Sequence, residues 1–307
     1  MERYLRSFTP LISALFGLFA LTLQAHAQET VGIVYAKVRE PYLSVFRQIV
    51  KGAETQQEYK VVSIELNKNY DVNQVVTELK TNNIKKVVTL GRTGYKIAKT
   101  LPRDFITVAG AIPISPNGLS GISLESDPEQ LFDYLKITAP KVSNIYVAYS
   151  ATNQWLIDIA EEKATEKGFV FQSKKVDSIA EAIAYYKNLF EQFNGNQHAI
   201  WLPLDKVTSS DKIILPFVLE GSWAKQMVIF SSKPSHASRG VLFSTYPDNV
   251  ELGKKLLTMV SRLDNTKQSY VKPSNAISLA VNLRTAAHLG IKYSSDQEKS
   301  FELTFPE

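Results

Sequence analysis

Three cations stand where a predicted strand has just ended: Lys37 and Arg39 after "VGIVYA", and Arg92 after "KKVVTL". With Thr93 beside Arg92, and a turn at Ala111, they suit an anionic group held by guanidinium, ammonium and loop amides. A second set follows later strands. Tyr149, Ser150 and Asn153 come after "NIYVAY", Asp205 and Thr208 after "AIWLPL", and Ser231 and Ser232 after "MVIF"; Tyr246 lies in "VLFSTY". Hydroxyls, an amide and one carboxylate at strand ends are groups that recognise a small solute by hydrogen bonding. Trp155 shares a helix face with Ile159 and Glu162 and is expected to pack instead.

Groups that break bonds are harder to find. The sequence holds no G-x-S-x-G elbow, no H-E-x-x-H and no G-x-x-x-x-G-K-[ST] loop, and "GRTG" at Gly91–Gly94 falls short of a dinucleotide fingerprint. Beyond residue 27 the histidines are His198, His236 and His288, none with a second His or a carboxylate at ligand spacing. Each is expected to be packed or on the surface. The absence of cysteine excludes disulfides, thiolate chemistry and Cys-based metal sites. The expectation is therefore a protein without catalytic residues, metal or cofactor. An enzyme would need the fold to bring a Ser, a His and a carboxylate together.

The elements that carry these residues alternate. "VGIVYA" reads as a buried strand; Pro41 then opens a helix with Leu43, Phe46, Ile49 and Val50 on one face. The strand "KVVSIEL", a helix from Asp71 to Asn82, the strand "KKVVTL", the helix "GYKIAKTL" and the strand "FITVAG" follow. Strand–helix pairs with short links predict a parallel sheet with helices on both faces. The Pro-, Gly- and Ser-rich run "AIPISPNGLSGISLES" reads as a hinge. After it the alternation restarts from the Asp127-capped, Pro128-initiated helix and ends with "AVNLRTAAHLGIKY", where Asn282 caps a short helix and Gly290 stops it. No sequence repeat is detectable.

At the start of the 307-residue chain, Arg3 and Arg6 precede an apolar run, Leu11–Leu23, and then "AHA". This is the pattern of a secretory signal peptide cleaved after Ala27. The run is short against the ~20 residues of a membrane span. Without a cysteine there is no lipid attachment, so the periplasm is the expected location and full secretion the alternative. The net charge of +5, or +4 without residues 1–27, is spread along the chain and forms no basic stripe for nucleic acid.

Two stretches give the chain a family likeness. "YPDNVELGKKLLTMVSRL" and "AISLAVNLRTAAHLGIKY" resemble the tyrosine-containing hinge strand, the E-L-G helix and the terminal N-x-x-T-A-x-x-L-G-I of substrate-binding proteins of the tryptophan/tyrosine ABC transporter type. Thr285, Ala286, Leu289, Gly290 and Ile291 match. "PYLSVFRQIVKG", "KKVVTLGRTGYKIAK" and "LDKVTSS" match less specifically. Ser115-Pro116 stands where the family has Asp-Pro, and Lys37 and Arg39 replace a smaller polar set. The resemblance implies a type I periplasmic-binding fold: two doubly wound parallel-sheet lobes joined by a three-stranded hinge, with residues 28–121 plus 244–266 as lobe 1 and 122–243 plus 267–307 as lobe 2. It further implies a monomer that binds an amino acid or small organic anion in the cleft and presents it to an ABC permease. The alternative is a periplasmic sensory module of the same fold, reporting ligand state to a membrane signalling partner.

Overall fold

The computed structural model describes residues 28–264 and 268–306, so the signal-peptide site and the expected lobe boundary at Thr266 lie outside the described residues. The first half runs β1 (Glu29–Ala36), α1 (Tyr42–Glu54), β2 (Tyr59–Leu66), α2 (Val72–Thr81), β3 (Lys86–Leu90), α3 (Gly91–Ala98), β4 (Ile106–Gly110) and β5 (Ser120–Ser126). The second runs α4 (Pro128–Thr138), β6 (Asn144–Tyr149), α5 (Gln154–Glu166), β7 (Val170–Lys175), α6 (Ile179–Gln192), β8 (His198–Leu202), α7 (Ile214–Lys225), β9 (Val228–Ser231) and β10 (Phe243–Pro247). The chain finishes with α8 (Asn249–Arg262), β11 (Val271–Ser274), β12 (Ile277–Asn282), α9 (Leu283–His288), α10 (Ser295–Ser300) and β13 (Leu303–Phe305).

These strands form two sheets, ordered β2-β1-β3-β4-β5-β11 and β7-β6-β8-β9-β10-β12-β13. All neighbours are parallel except β10 and β12. Each sheet therefore begins with the doubly wound order 2-1-3-4-5. In that order the connections diverge between the first and third strands, leaving a crevice at their carboxyl ends. The crevices lie between β1 and β3 in one lobe and between β6 and β8 in the other.

The lobe boundaries differ from the sequence expectation. Residues 122–126 belong to the first sheet, because "SGISLES" is a strand and not a loop. Gly121 makes that pairing possible, since a Cβ there would sit 2.5 Å from the Ala109 carbonyl oxygen. The composition that suggested a hinge is thus what close strand approach requires. Residues 244–247 lie in the second sheet within β10, and β11 returns to the first. A Pro at position 273 disguises β11, but it is tolerated on an edge strand.

Three crossings join the lobes: β5 to α4, β10 to α8, and β11 to β12. They are stitched to one another. The Asp127 amide donates to the Ser274 carbonyl at 2.9 Å, and the Asp248 amide to Ala276 at 3.0 Å. Ser126 Oγ and Thr245 Oγ1, both buried, lie 2.7 Å apart. "AVNLRTAAHLGIKY" begins in β12, just after the third crossing. Asn282 caps α9 through the Thr285 amide at 2.9 Å, and Gly290 takes a φ of +69°.

Candidate functional site

Two cavities open at the two crevices. The first, of about 430 Å³, is bounded by Ala36 at the end of β1 and Val38 beyond it, Gly91, Arg92 and Thr93 after β3, and Ala111 after β4. Ala111 holds a left-handed φ of +56°, a conformation costly for a residue with a Cβ and common around binding sites. The second, of about 390 Å³, lies between the lobes. Its walls are Ser150, Asn153 and Trp155 after β6, Leu204–Val207 after β8, and Pro113–Ser115 with Glu125 from the first lobe. Leu124 lines the first cavity and Glu125, the next residue on β5, the second.

Asp205 organises the second-lobe wall. It is 5% exposed, and both of its oxygens are saturated. Oδ2 accepts from the Ser150 amide at 2.8 Å, Ser150 Oγ at 2.6 Å and Asn153 Nδ2 at 3.3 Å. Oδ1 accepts from the amides of Val207 at 2.8 Å and Thr208 at 3.1 Å. One carboxylate thus ties the β6 loop to the β8 loop. Its role is to hold the wall, and it has no lone pair left for a solute.

Glu125 is the opposite case. It is 2% exposed, and its Oε2 has no hydrogen-bond partner. Burial pushes its carboxyl up to about 8; the Leu204 amide opposes this, and the Asp205 charge adds to it. The sequence carries no signal for this residue: the Gly- and Ser-rich run "SGISLES" reads as a loop, where a lone Glu is ordinarily solvated. The raised carboxyl has a consequence for stability. From pH 4.5, its ordinary value, to about 8 the folded chain holds a proton that the unfolded chain has lost, so stability falls as pH rises through that window. Melting temperatures at pH 5 and pH 8.5 are expected to fall further apart in the wild type than in Glu125→Gln. Equal slopes would place the carboxyl in water.

The other residues singled out by sequence divide. Arg92, Thr93 and Ala111 line the first cavity, and Ser150, Asn153 and Asp205 the second. Lys37 and Arg39 are exposed and line neither. Tyr149 is buried and donates to Gln154 Oε1 at 3.0 Å, while Thr208 is fully buried. Tyr246 packs against the second-lobe core, as one would expect of the β10 position paired with Ser278. Ser231 and Ser232 are interior, Ser232 accepting from Trp201 Nε1 at 3.1 Å. Trp155 packs against the core while also bounding the interlobe cavity.

Ser231 belongs to a constellation that needs a chemical answer. Its Oγ lies 2.8 Å from His236 Nδ1, and His236 Nε2 lies 2.8 Å from Asp211 Oδ1. A serine, a histidine and a carboxylate are thus in line, but the exposure runs backwards. Ser231 and His236 are both fully buried, whereas the Asp211 side chain is 46% exposed. A nucleophile must meet its substrate, and Ser231 instead meets the Leu202 carbonyl at 3.1 Å and the Lys233 amide at 3.0 Å. Desolvation pushes the Asp211 carboxyl up, but hydrogen bonds from Lys233 and His236 outweigh it and leave the group below its usual value. Burial lowers the His236 pKa. The cluster clips the Pro234–Arg239 turn onto the loop before α7.

A larger cavity, about 630 Å³, lies elsewhere, bounded by Trp223, Met227, Gly240, Arg284 and His288. It sits at the amino end of β9, on the side of the sheet away from the crevices. Size alone does not make it the solute site: strand carboxyl ends are where helix amino termini and loops converge. Among the described residues there is no group of three or more His, Asp or Glu able to hold a metal, and no helix long and apolar enough to cross a membrane.

No family model matches the sequence, and no curated protein matches it. Solved structures do resemble the fold. A substrate-binding protein with adhesive properties from Clostridium difficile, in a ligand-free, open form, superposes with a TM-score of 0.59 at 18% identity, over 90% of this chain and 99% of that one. An ABC domain in complex with L-Trp from Streptococcus pneumoniae gives 0.53 at 19%, over 91% and 100%. A conserved domain protein from Vibrio cholerae gives 0.51 at 16%, over 90% and 99%. The fold is that of the type I periplasmic binding proteins: two α/β parallel-sheet lobes.

Proposed function

We propose that this chain is an exported solute-binding protein of an ABC uptake system. It takes an amino acid or small organic anion between its lobes and offers the closed form to a membrane permease. The observation that carries this reading is that both topological crevices, each bordered by polar loop residues, open on the side where the three crossings meet. Ligand that bridges the lobes favours closure, and a permease can distinguish the closed surface. The likeness to a tryptophan-bound domain favours the tryptophan/tyrosine branch, while Arg92 favours a carboxylate on the solute. The reading is of binding and not catalysis, because Ser231 is walled off from solvent. The reading includes export to the periplasm, and the signal-peptide pattern ending at Ala27 is what supports it.

A thermal-shift panel of amino acids and organic acids tests it. Ligand at 100 times its dissociation constant adds about 2.7 kcal/mol. Arg92→Ala is expected to abolish binding of any carboxylate solute the panel finds. Unchanged affinity in calorimetry would remove Arg92 from the site, and a panel without any shift would overturn the uptake reading.

A further inference from the structure

We propose that Glu125 is a proton-coupled anchor for a cationic amine on the bound solute: the carboxyl gives up its proton as an ammonium group arrives. The inference rests on the cleft being a solute site and adds what kind of group enters its interlobe half.

The argument is one of unmet hydrogen bonding. An unpartnered buried acceptor costs more than a made hydrogen bond gains, so it persists where something else supplies the partner. Glu125 Oε2 is such an acceptor and borders the interlobe cavity. No described residue supplies the partner. Asp205, across the cavity, has its oxygens filled by five donors and only adds like charge. Lys206 is on the wall but is exposed and makes no ion pair with Glu125. The remaining wall offers hydroxyls at Ser115, Ser150 and Thr152, the Trp155 indole, and apolar surface at Pro113 and Ile114. Ser150 Oγ donates to Asp205 and accepts from Thr152 Oγ1 at 2.8 Å, so what these two hydroxyls still offer a solute is lone pairs, one on Ser150 and two on Thr152. The free hydrogen-bonding capacity around Glu125 is thus chiefly that of acceptors, which is what an ammonium needs.

Proton balance follows. Near neutral pH the empty site holds Glu125 as a carboxylic acid. An amine that arrives protonated turns the pair into carboxylate and ammonium, and the acid's proton leaves to solvent. Binding should therefore release close to one proton. Affinity should rise about tenfold from pH 6 to 7 and level off above pH 8.

The test is calorimetry on the full chain in two buffers of different ionisation enthalpy. The probes are L-amino acids, linear diamines and amino sugars, each beside the analogue with hydroxyl in place of amine. The expected result is that an amine binds with proton release while its hydroxyl analogue binds at least tenfold more weakly. Glu125→Gln should cost about 10- to 100-fold and abolish the release, with an unchanged circular-dichroism spectrum. Lys206→Met should keep the release. Equal binding of amine and hydroxyl analogue, unaltered affinity in Glu125→Gln, or loss of the release in Lys206→Met overturns the proposal and leaves the cleft reading intact. If neither these probes nor plain carboxylates bind, the cleft reading falls with it.

Discussion

Asp205→Ala is expected to lower stability by about 3 kcal/mol or more and to abolish solute binding. The substitution removes the acceptor of three backbone amides, those of Ser150, Val207 and Thr208, and of two side-chain donors. Each buried donor left without a partner costs roughly 1–3 kcal/mol, and relaxation of the two loops toward water recovers part of the sum. Relaxation is itself the functional damage, because the β6 and β8 loops are the second-lobe wall of the interlobe cavity. Asp205→Asn separates the two roles. An amide can keep one oxygen for Val207 and Thr208, but it turns an NH2 toward the Ser150 amide, donor against donor. Chemical denaturation should rank wild type above Asn and Asn above Ala, and calorimetry should find no solute affinity in the Ala variant. A loss below about 0.5 kcal/mol would mean that water replaces the carboxylate at no cost, and the wall would then need another organiser.

The alternation of strand and helix was legible because buried parallel strands are near-continuous apolar runs, as in "VGIVYA", "IYVAY" and "AIWL". Helix starts were legible at Asp71, Asp127 and Asn282, whose side chains accept from the amides of Asn73, Glu129 and Thr285. The strands that were not legible share a cause: β5 and β11 sit where backbones approach closely or at an edge, so they use Gly, Ser and Pro. Strand β13 spans three residues and has no pattern to read. For the site, position after a strand placed Arg92, Thr93, Ser150, Asn153 and Asp205 on cavity walls. The same rule could not separate Ser231 and Thr208, since the depth to which a loop residue is buried depends on elements distant in sequence. Nor could it find Glu125, whose character comes from the second lobe closing over it. Ser231, His236 and Asp211 make the point in reverse: residues within hydrogen-bond reach acquire a triad's order without its exposure, and only the burial of each member separates a clip from a catalyst.

Gly253→Ala should prove nearly as damaging as loss of Asp205, at a place with no chemistry at all. Helices α1 and α8 cross with backbone against backbone: a Cβ on Gly253 would lie 1.9 Å from the Ile49 carbonyl oxygen, and one on Gly52 1.9 Å from that of Val250. No side-chain rotamer can relieve a clash with a carbonyl, so the helices must part. Leu252, Leu256 and Val260 would then lift from Ile33, Ile49 and Val108 in the first-lobe core. Overpacking of this kind costs about 1–3 kcal/mol where the surroundings yield, and more where they cannot. About 3 kcal/mol is expected by chemical denaturation. The two glycines guard one gap, so the double variant should cost less than the sum of the singles. The effect should also reach the cleft. Helix α8 follows the second crossing directly, and Pro247 and Asn249 border the cavity that holds Arg92. A displaced α8 would carry those residues with it, so Gly253→Ala is expected to weaken solute binding in the molecules that remain folded. Full affinity in a destabilised variant would show instead that the crossing absorbs the shift before it reaches the site.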